Sequence, residues 1–379
     1  MNRTESTSAA STAKTGYLPT LDGWRALAVL SVIAFHDQVH RVGPVSDTWL
    51  HSLGHLGVDL FFAISGLLIC SRLLDEEERA GKISLPAFYL RRTFRIIPPM
   101  LAYLLAIAVL GWQKIIHVGL GAWLASLVFV NNYYNSFRHD ENWSLYTNHF
   151  WSLSVEEHFY LILPAVLVIF PKLRVQVLTL LTALFAFWRV VHAVLARHDQ
   201  FRDFQASRSD LCLFGLLLPA LLAVLLRKQD IKAHAVRYLH PWLIFPVISI
   251  VCLIGLSTTH ALPLSLFVAI SFPLMVLSTV YHPKSVVGVI LEAPVLRAIG
   301  RVSYSIYLWQ QLFFPGDHPK ANGILAVLQH QPWNILCTLL LATASYWFIE
   351  KPFIRMGHRL APPVDPGHRD LSASAPLIG

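Results

Sequence analysis

Ten stretches of this chain are each close to the length of a membrane-crossing helix, and each is built almost wholly from apolar residues. They run over about residues 21–39, 56–74, 97–113, 152–171, 176–196, 210–227, 239–257, 262–281, 302–316 and 333–351. A helix needs ~20 predominantly apolar residues to cross the hydrocarbon core of a bilayer. Segments of this kind, repeated from one end of the chain to the other, predict an all-α fold: a polytopic membrane bundle of about ten transmembrane helices. Charged residues make up 14% of the sequence, against about 25% in soluble domains. The eleven Trp and twelve Tyr suit belts at the two membrane interfaces. Residues 1–16 are polar and rich in Ser, Thr and Ala, and read as a disordered cytoplasmic tail. Residues 17–356 form the membrane domain, and 357–379 read as a second disordered cytoplasmic tail.

Charge sets the expected orientation. The formal net charge is +8. In so apolar a chain, an excess of this kind reflects basic cytoplasmic loops, and no nucleic acid is expected as a partner. With ten crossings and both termini inside, Lys and Arg divide about three to one in favour of the inner face, a firm positive-inside bias. An eleventh apolar stretch, about 115–131, ends in Asn131-Asn132-Tyr133-Tyr134. Letting it cross would set half the protein against the charge rule, so it reads as an outer-face interfacial or re-entrant segment. Cys70, Cys212, Cys252 and Cys337 lie in apolar runs. They read as buried thiols rather than a disulfide framework, and no metal site is expected.

Ionisable residues inside membrane helices are rare and mark function by default. Arg25 and His36 share the first stretch, and His36 lies ~16 Å farther along a helix than Arg25. Glu156 enters the fourth stretch from the outer side, ~6–9 Å below the boundary, near the level of His36. Arg189 and His192 sit ~6–10 Å from the outer end of the fifth. Depth alone therefore allows imidazole, carboxylate and guanidinium to meet in one buried polar cavity.

Five blocks in order resemble the acyltransferase 3 family of integral membrane acyltransferases, over about Tyr17 to Met356. They are Leu21–Arg25 with His36, similar to an Arg-x10-His signature; Gly57–Gly66; Tyr89–Pro98 with Arg92 and Arg95 as an Arg-x-x-Arg element; Trp151–Glu156; and Val302–Trp309. One position departs: the family usually has His after the last Trp, where this chain has Gln310. The resemblance implies transfer of an acyl group, most often acetyl, from cytoplasmic acyl-CoA to a hydroxyl of a carbohydrate or glycolipid acceptor at the bacterial inner membrane. It also allows an extra extracytoplasmic esterase-like domain, for which the residues after 351 leave no room.

The chemistry assigns roles. His36 is the expected catalytic residue. A neutral imidazole suits a general base at neutral pH, and an acyl-imidazole nucleophile is the alternative. Glu156 either orients His36, as carboxylates do in hydrolase triads, or pairs with Arg189. Arg92 and Arg95, with Arg25 on the same side, match the phosphates of CoA, since guanidinium forks suit phosphate oxygens. Basic residues before a span are also an ordinary topogenic device. Ser303, Tyr304 and Tyr307 either line a donor tunnel or pack helices. Asp59, Arg189, Arg208 and Trp151 are expected on the acceptor side, where the loop 197–210 alternates charged and aromatic residues. The competing class is a transporter or flippase for a glycan or lipid-linked intermediate. It explains the intramembrane charge but leaves the inner arginines without a task.

Overall fold

The computed structural model describes residues 18–37, 47–137, 145–196, 207–257, 261–315 and 321–362. The tail expected at 1–16, residues 363–379 of the tail expected at 357–379, and loop residues 197–206 lie outside them, and the helix Lys351–Leu360 carries regular structure into the first residues of that second tail. Among the described residues every regular element is helical. The principal helices are α1 Pro19–His36, α2 Asp47–Ala80, α3 Leu85–Trp112, α4 Phe150–Ile169, α5 Arg174–Ala196, α6 Phe214–Leu225, α7 Pro241–Ser257, α8 Ala261–Tyr281, α9 Ser303–Phe313, α10 Trp333–Ser345 and α11 Lys351–Leu360. Each of the ten apolar stretches coincides with one of α1 to α10. Four segments, Leu56–Ala80, Leu85–Trp112, Leu145–Ile169 and Arg174–Leu195, are long and apolar enough to cross a membrane.

The apolar pattern has two sides. Leu105 on α3, Leu180 and Phe187 on α5, and Leu340 on α10 are each about two-thirds exposed, as suits a surface turned to lipid rather than water. The core of buried apolar side chains runs through α1, α2, α3, α4, α6 and α9. The stretch at 115–131 does not form one helix. It breaks into Leu120–Leu127 and Asn131–Ser136, and the first covers only ~12 Å. Two of its buried amides bond to serines, one nearby and one 77 positions away. Asn131 Nδ2 donates to Ser126 Oγ at 2.9 Å, and Asn132 Nδ2 to Ser209 Oγ at 2.8 Å.

Close backbone approach fixes the N-terminal end of α1. A Cβ on Gly300 would lie 1.8 Å from the Asp22 carbonyl oxygen, and one on Gly23 would lie 2.2 Å from that of Leu291. Only glycine lets these backbones meet. Asp22 sits in the same crossing, between Arg25 Nη1 at 3.8 Å and Arg301 Nε at 3.6 Å. Arg25 is therefore held by packed backbone a residue or two away. At the far end of the chain, a π-helical turn, Tyr346–Glu350, joins α10 to α11. The widened turn carries Glu350 inward, where it is 1% exposed and accepts a hydrogen bond from Ser305 Oγ at 2.8 Å. Turns of this type concentrate at functional sites.

Candidate active site

A cavity of about 90 Å³ lies between α1, α2, α3, α4 and α9. By this measure it holds several waters or an acetyl-sized group. Arg25, Arg92, Arg95, Tyr304 and Ser303 line it toward the N-terminal ends of α1, α3 and α9, and Ser65 and Glu156 line it midway. Val58, Ser152 and Tyr307 line it toward the N-terminal end of α4.

Glu156 is the centre of the polar network. Its Oε1 accepts from Ser65 Oγ at 2.9 Å, and its Oε2 accepts from the Tyr160 hydroxyl at 3.0 Å. Tyr160 is one helical turn beyond Glu156, so one face of α4 supplies both acceptor and donor. Arg92 Nη2 lies 4.0 Å from Oε2, and its guanidinium stacks 3.6 Å over the Tyr160 ring. A cation over an aromatic face is attracted by the ring quadrupole. Arg92 and Glu156 side chains are only 16% and 17% exposed, which leaves solvent little room to screen them.

The arginines form a cluster. Arg25, Arg72, Arg92 and Arg95 act electrostatically on one another, and Glu350 faces Arg95 and Arg25. Packed guanidinium groups of like charge repel, so the arrangement favours an anion among them. The proline pair Pro98–Pro99 interrupts α3 one turn after Arg95, removing two backbone donors. In that turn the Tyr304 hydroxyl donates to the Ile96 carbonyl at 2.9 Å.

The other end is closed by a compact set of bonds. Ser152 Oγ and the Tyr307 hydroxyl lie 2.5 Å apart and share one hydrogen bond, and the His149 carbonyl, 3.2 Å from the first and 3.0 Å from the second, accepts from the hydroxyl that does not donate to the other. Trp151 does not reach this cavity wall and packs edge-on against Phe62, which does.

Other expected residues stand elsewhere. His36 is the last residue of α1, half-buried, with Nδ1 2.8 Å from the Val32 carbonyl. That contact requires the hydrogen on Nδ1 and leaves the ring's basic lone pair on Nε2. His36 is not among the residues lining the cavity. Arg189 does not meet Glu156. Its Nη1 donates to the Leu211 carbonyl at 2.9 Å, its guanidinium lies 5.5 Å from the Phe214 ring, and Asp59 is within its electrostatic reach. Arg208 makes a two-pronged contact with Asp210, at 3.0 Å and 2.8 Å, and Asp210 also accepts from Trp188 Nε1 at 2.8 Å. The polar groups thus separate into two sites, one around Glu156 and one around Arg189. Sequence reasoning named the arginines, Glu156, Ser303, Tyr304 and Tyr307. It missed Ser65, Tyr160, His149 and Glu350. Of these, Ser65 and Tyr160 were open to discovery, Ser65 as the polar residue in Gly57–Gly66 and Tyr160 as an i+4 neighbour of Glu156. Among the described residues no cluster of His, Cys, Asp and Glu could hold a metal ion.

Comparison with known proteins agrees with this arrangement. The family model described as an acyltransferase domain, that of the acyltransferase 3 family, matches residues 18–350. The chain is 31% identical over 369 residues to the peptidoglycan O-acetyltransferase OatA of Listeria monocytogenes, covering 90% of this chain and 56% of the relative. It is 30% identical over 374 residues to the O-acetyltransferase OatA of Staphylococcus aureus, covering 90% and 58%. The chain thus spans a little over half the length of these curated relatives. No solved structure matches it. With the matched region running through every residue that lines the cavity, the chain belongs to the acyltransferase 3 family.

Proposed function

We propose that this chain is a membrane O-acyltransferase that moves an acyl group, most simply acetyl, from acyl-CoA to a hydroxyl of a carbohydrate acceptor. The observation that carries this reading is the Glu156 carboxylate, enclosed with Arg25, Arg92 and Arg95 in one cavity that reaches Ser152 and Tyr307. Arginines at one end suit the phosphates of CoA. The cavity between is sized for an acyl group and not for the nucleotide, so the bulk of CoA lies outside it.

In this reading the acceptor oxygen attacks the thioester carbonyl carbon. A C–O bond forms and the C–S bond breaks. The hydroxyl proton passes to Nε2 of His36 acting as general base, and CoA leaves as a thiolate that takes up a proton. Glu156 keeps Arg92 and Tyr160 oriented and offsets positive charge beside the donor. Asp59, Arg189, Arg208 and Trp151 belong to the acceptor side. The relatives act, by name, as O-acetyltransferases, one of them on peptidoglycan. This supports a polysaccharide of the cell surface, or lipopolysaccharide, as acceptor. The protein is multi-pass in the cell membrane, with about ten crossings and both termini in the cytoplasm. The arginine end faces the cytoplasmic donor.

The test is release of free CoA from acetyl-CoA by the purified protein in lipid nanodiscs, with an oligosaccharide of N-acetylglucosamine as probe acceptor. Acceptor-stimulated CoA release with an acetylated product is the expected result. Transport of a glycan without acyl transfer would replace this reading with that of a flippase.

A further inference from the structure

His149 has no part in the chemistry above, yet its position is unusual. It precedes α4 and is 3% exposed, and neither Nδ1 nor Nε2 has a hydrogen-bond partner in the protein. Its backbone is not loose, because the carbonyl is tied to the hydrogen-bonded pair of Tyr307 and Ser152 hydroxyls. The ring is boxed by aromatics, with Tyr103 at 5.2 Å and Tyr307 at 5.6 Å, both edge-on. His36 lies within its electrostatic reach.

A buried polar atom left without a partner carries the full cost of losing its water. Such atoms are rare in native proteins, and each calls for an explanation. Packing alone is a poor one here, because a phenyl ring would fill the same box without the two orphaned nitrogens. The side of His149 that is satisfied, its carbonyl, is tied to the two hydroxyls that close the cavity. The side that is unsatisfied, its ring, packs against Tyr307, which lines the cavity. A ligand hydroxyl reaching the cavity past Ser152 and Tyr307 would meet this ring.

We propose that His149 is a substrate-positioning residue of the acyl transfer, with its imidazole hydrogen-bonding the attacking hydroxyl of the acceptor and aiming its oxygen at the thioester carbon. This rests on the acyltransferase reading and adds the group that receives the acceptor. An imidazole both donates and accepts, so its ring N–H donates to the attacking oxygen, whose own hydrogen is left for His36, while the other nitrogen accepts from a neighbouring hydroxyl of the sugar. Trp309, whose indole Nε1 is likewise buried without a partner, packs on the Tyr103 ring that His149 also meets, at 5.5 Å.

The experiment uses the full chain in nanodiscs, with acetyl-CoA as donor and an N-acetylglucosamine oligosaccharide as probe acceptor. His149→Phe keeps the ring volume and removes both polar atoms, while His149→Gln restores a donor and an acceptor. His149→Phe is expected to lower acceptor-dependent transfer roughly 100-fold. The KM for acetyl-CoA, the slow acceptor-independent hydrolysis of acetyl-CoA and the melting temperature should stay within twofold or a few degrees of wild type. His149→Gln should recover part of the loss. Wild-type transfer by His149→Phe would overturn the proposal. So would a parallel loss of donor binding and thermal stability in both variants, which marks a structural residue. A wild-type protein that releases no CoA would instead overturn the acyltransferase reading itself.

Discussion

Glu156 and Arg92 are predicted to act as one unit. Glu156→Gln keeps the shape of the side chain and one carbonyl acceptor, but removes the charge. Two hydrogen bonds now end on the carboxylate, from Ser65 and Tyr160. Bonds to a charged group contribute ~1.5–3 kcal/mol each, and neutral ones about 1 kcal/mol. The amide also turns N–H groups toward a guanidinium whose Nη2 is 4.0 Å from Oε2. The net loss is ~2–3 kcal/mol, which corresponds to a drop of about 30- to 150-fold in kcat/KM for acetyl-CoA. Ser65→Ala removes one of these bonds, ~1.5 kcal/mol at the low end, and should lower the same parameter ~10-fold. The assay is CoA release under steady-state conditions, with wild type, Glu156→Gln, Arg92→Gln and the double variant in parallel. Groups in direct contact show interaction energies of ~0.5–3 kcal/mol, so the double variant should lose clearly less than the sum of the singles. Additivity to within ~0.5 kcal/mol would refute the reasoning, because Glu156 would then act without Arg92.

His36→Ala should abolish transfer while leaving expression and membrane insertion intact, as checked by CoA release alongside size-exclusion chromatography. Arg95→Ala should raise the KM for acetyl-CoA by ~10-fold or more through loss of a charge-assisted contact, and 3′-dephospho-acetyl-CoA should be less affected if that phosphate is the partner. Gly300→Ala should destabilise the protein by at least ~1–3 kcal/mol, since its Cβ would meet the Asp22 carbonyl at 1.8 Å and overpacking has at least this effect. A thermal shift in detergent indistinguishable from wild type would contradict the close crossing. For topology, Phe137 is exposed and Ser136 is buried, while Lys82 is exposed at the other end of the bundle. In a background without native cysteines, Phe137→Cys should label with an impermeant thiol reagent in intact cells and Lys82→Cys only after permeabilisation. Labelling of both from one side would break the ten-crossing arrangement.

The sequence made some parts of the site readable and hid others for identifiable reasons. Arg92 and Arg95, three apart on α3, share a face, and the motif that contains them already points to one cavity wall. Glu156 was legible because a carboxylate in an apolar run needs a reason to be there. The grouping of Glu156 with Arg189 was not reliable in the same way. Helical rise gives depth along the membrane normal, and two residues at equal depth can still lie on opposite sides of a bundle. Arg189 turns to Leu211 and Phe214, whereas Arg92 comes to Glu156 from α3. Ser65 bonds Glu156 across 91 positions, and Tyr307 bonds His149 across 158. Such pairings depend on which helices become neighbours, and no local periodicity encodes that. Glu350 was hidden for another reason. A π-helical turn changes the residue count per turn, so a face projected from regular α periodicity does not lead to it.

The glycine crossing that fixes the N-terminal end of α1 bears on how such a protein can change over generations. Gly23 and Gly300 let backbone touch backbone, so the placement of Arg25 depends on main-chain geometry and little on neighbouring side-chain identity. Under the proposed function, the arginine end of the cavity is thereby insulated from drift in the rest of the bundle. The opposite end is assembled from side-chain bonds, among Ser152, Tyr307 and the His149 turn. Single substitutions can remodel that end without disturbing the other. A scaffold used as proposed would then keep a constant donor while its choice of acceptor diverges from lineage to lineage.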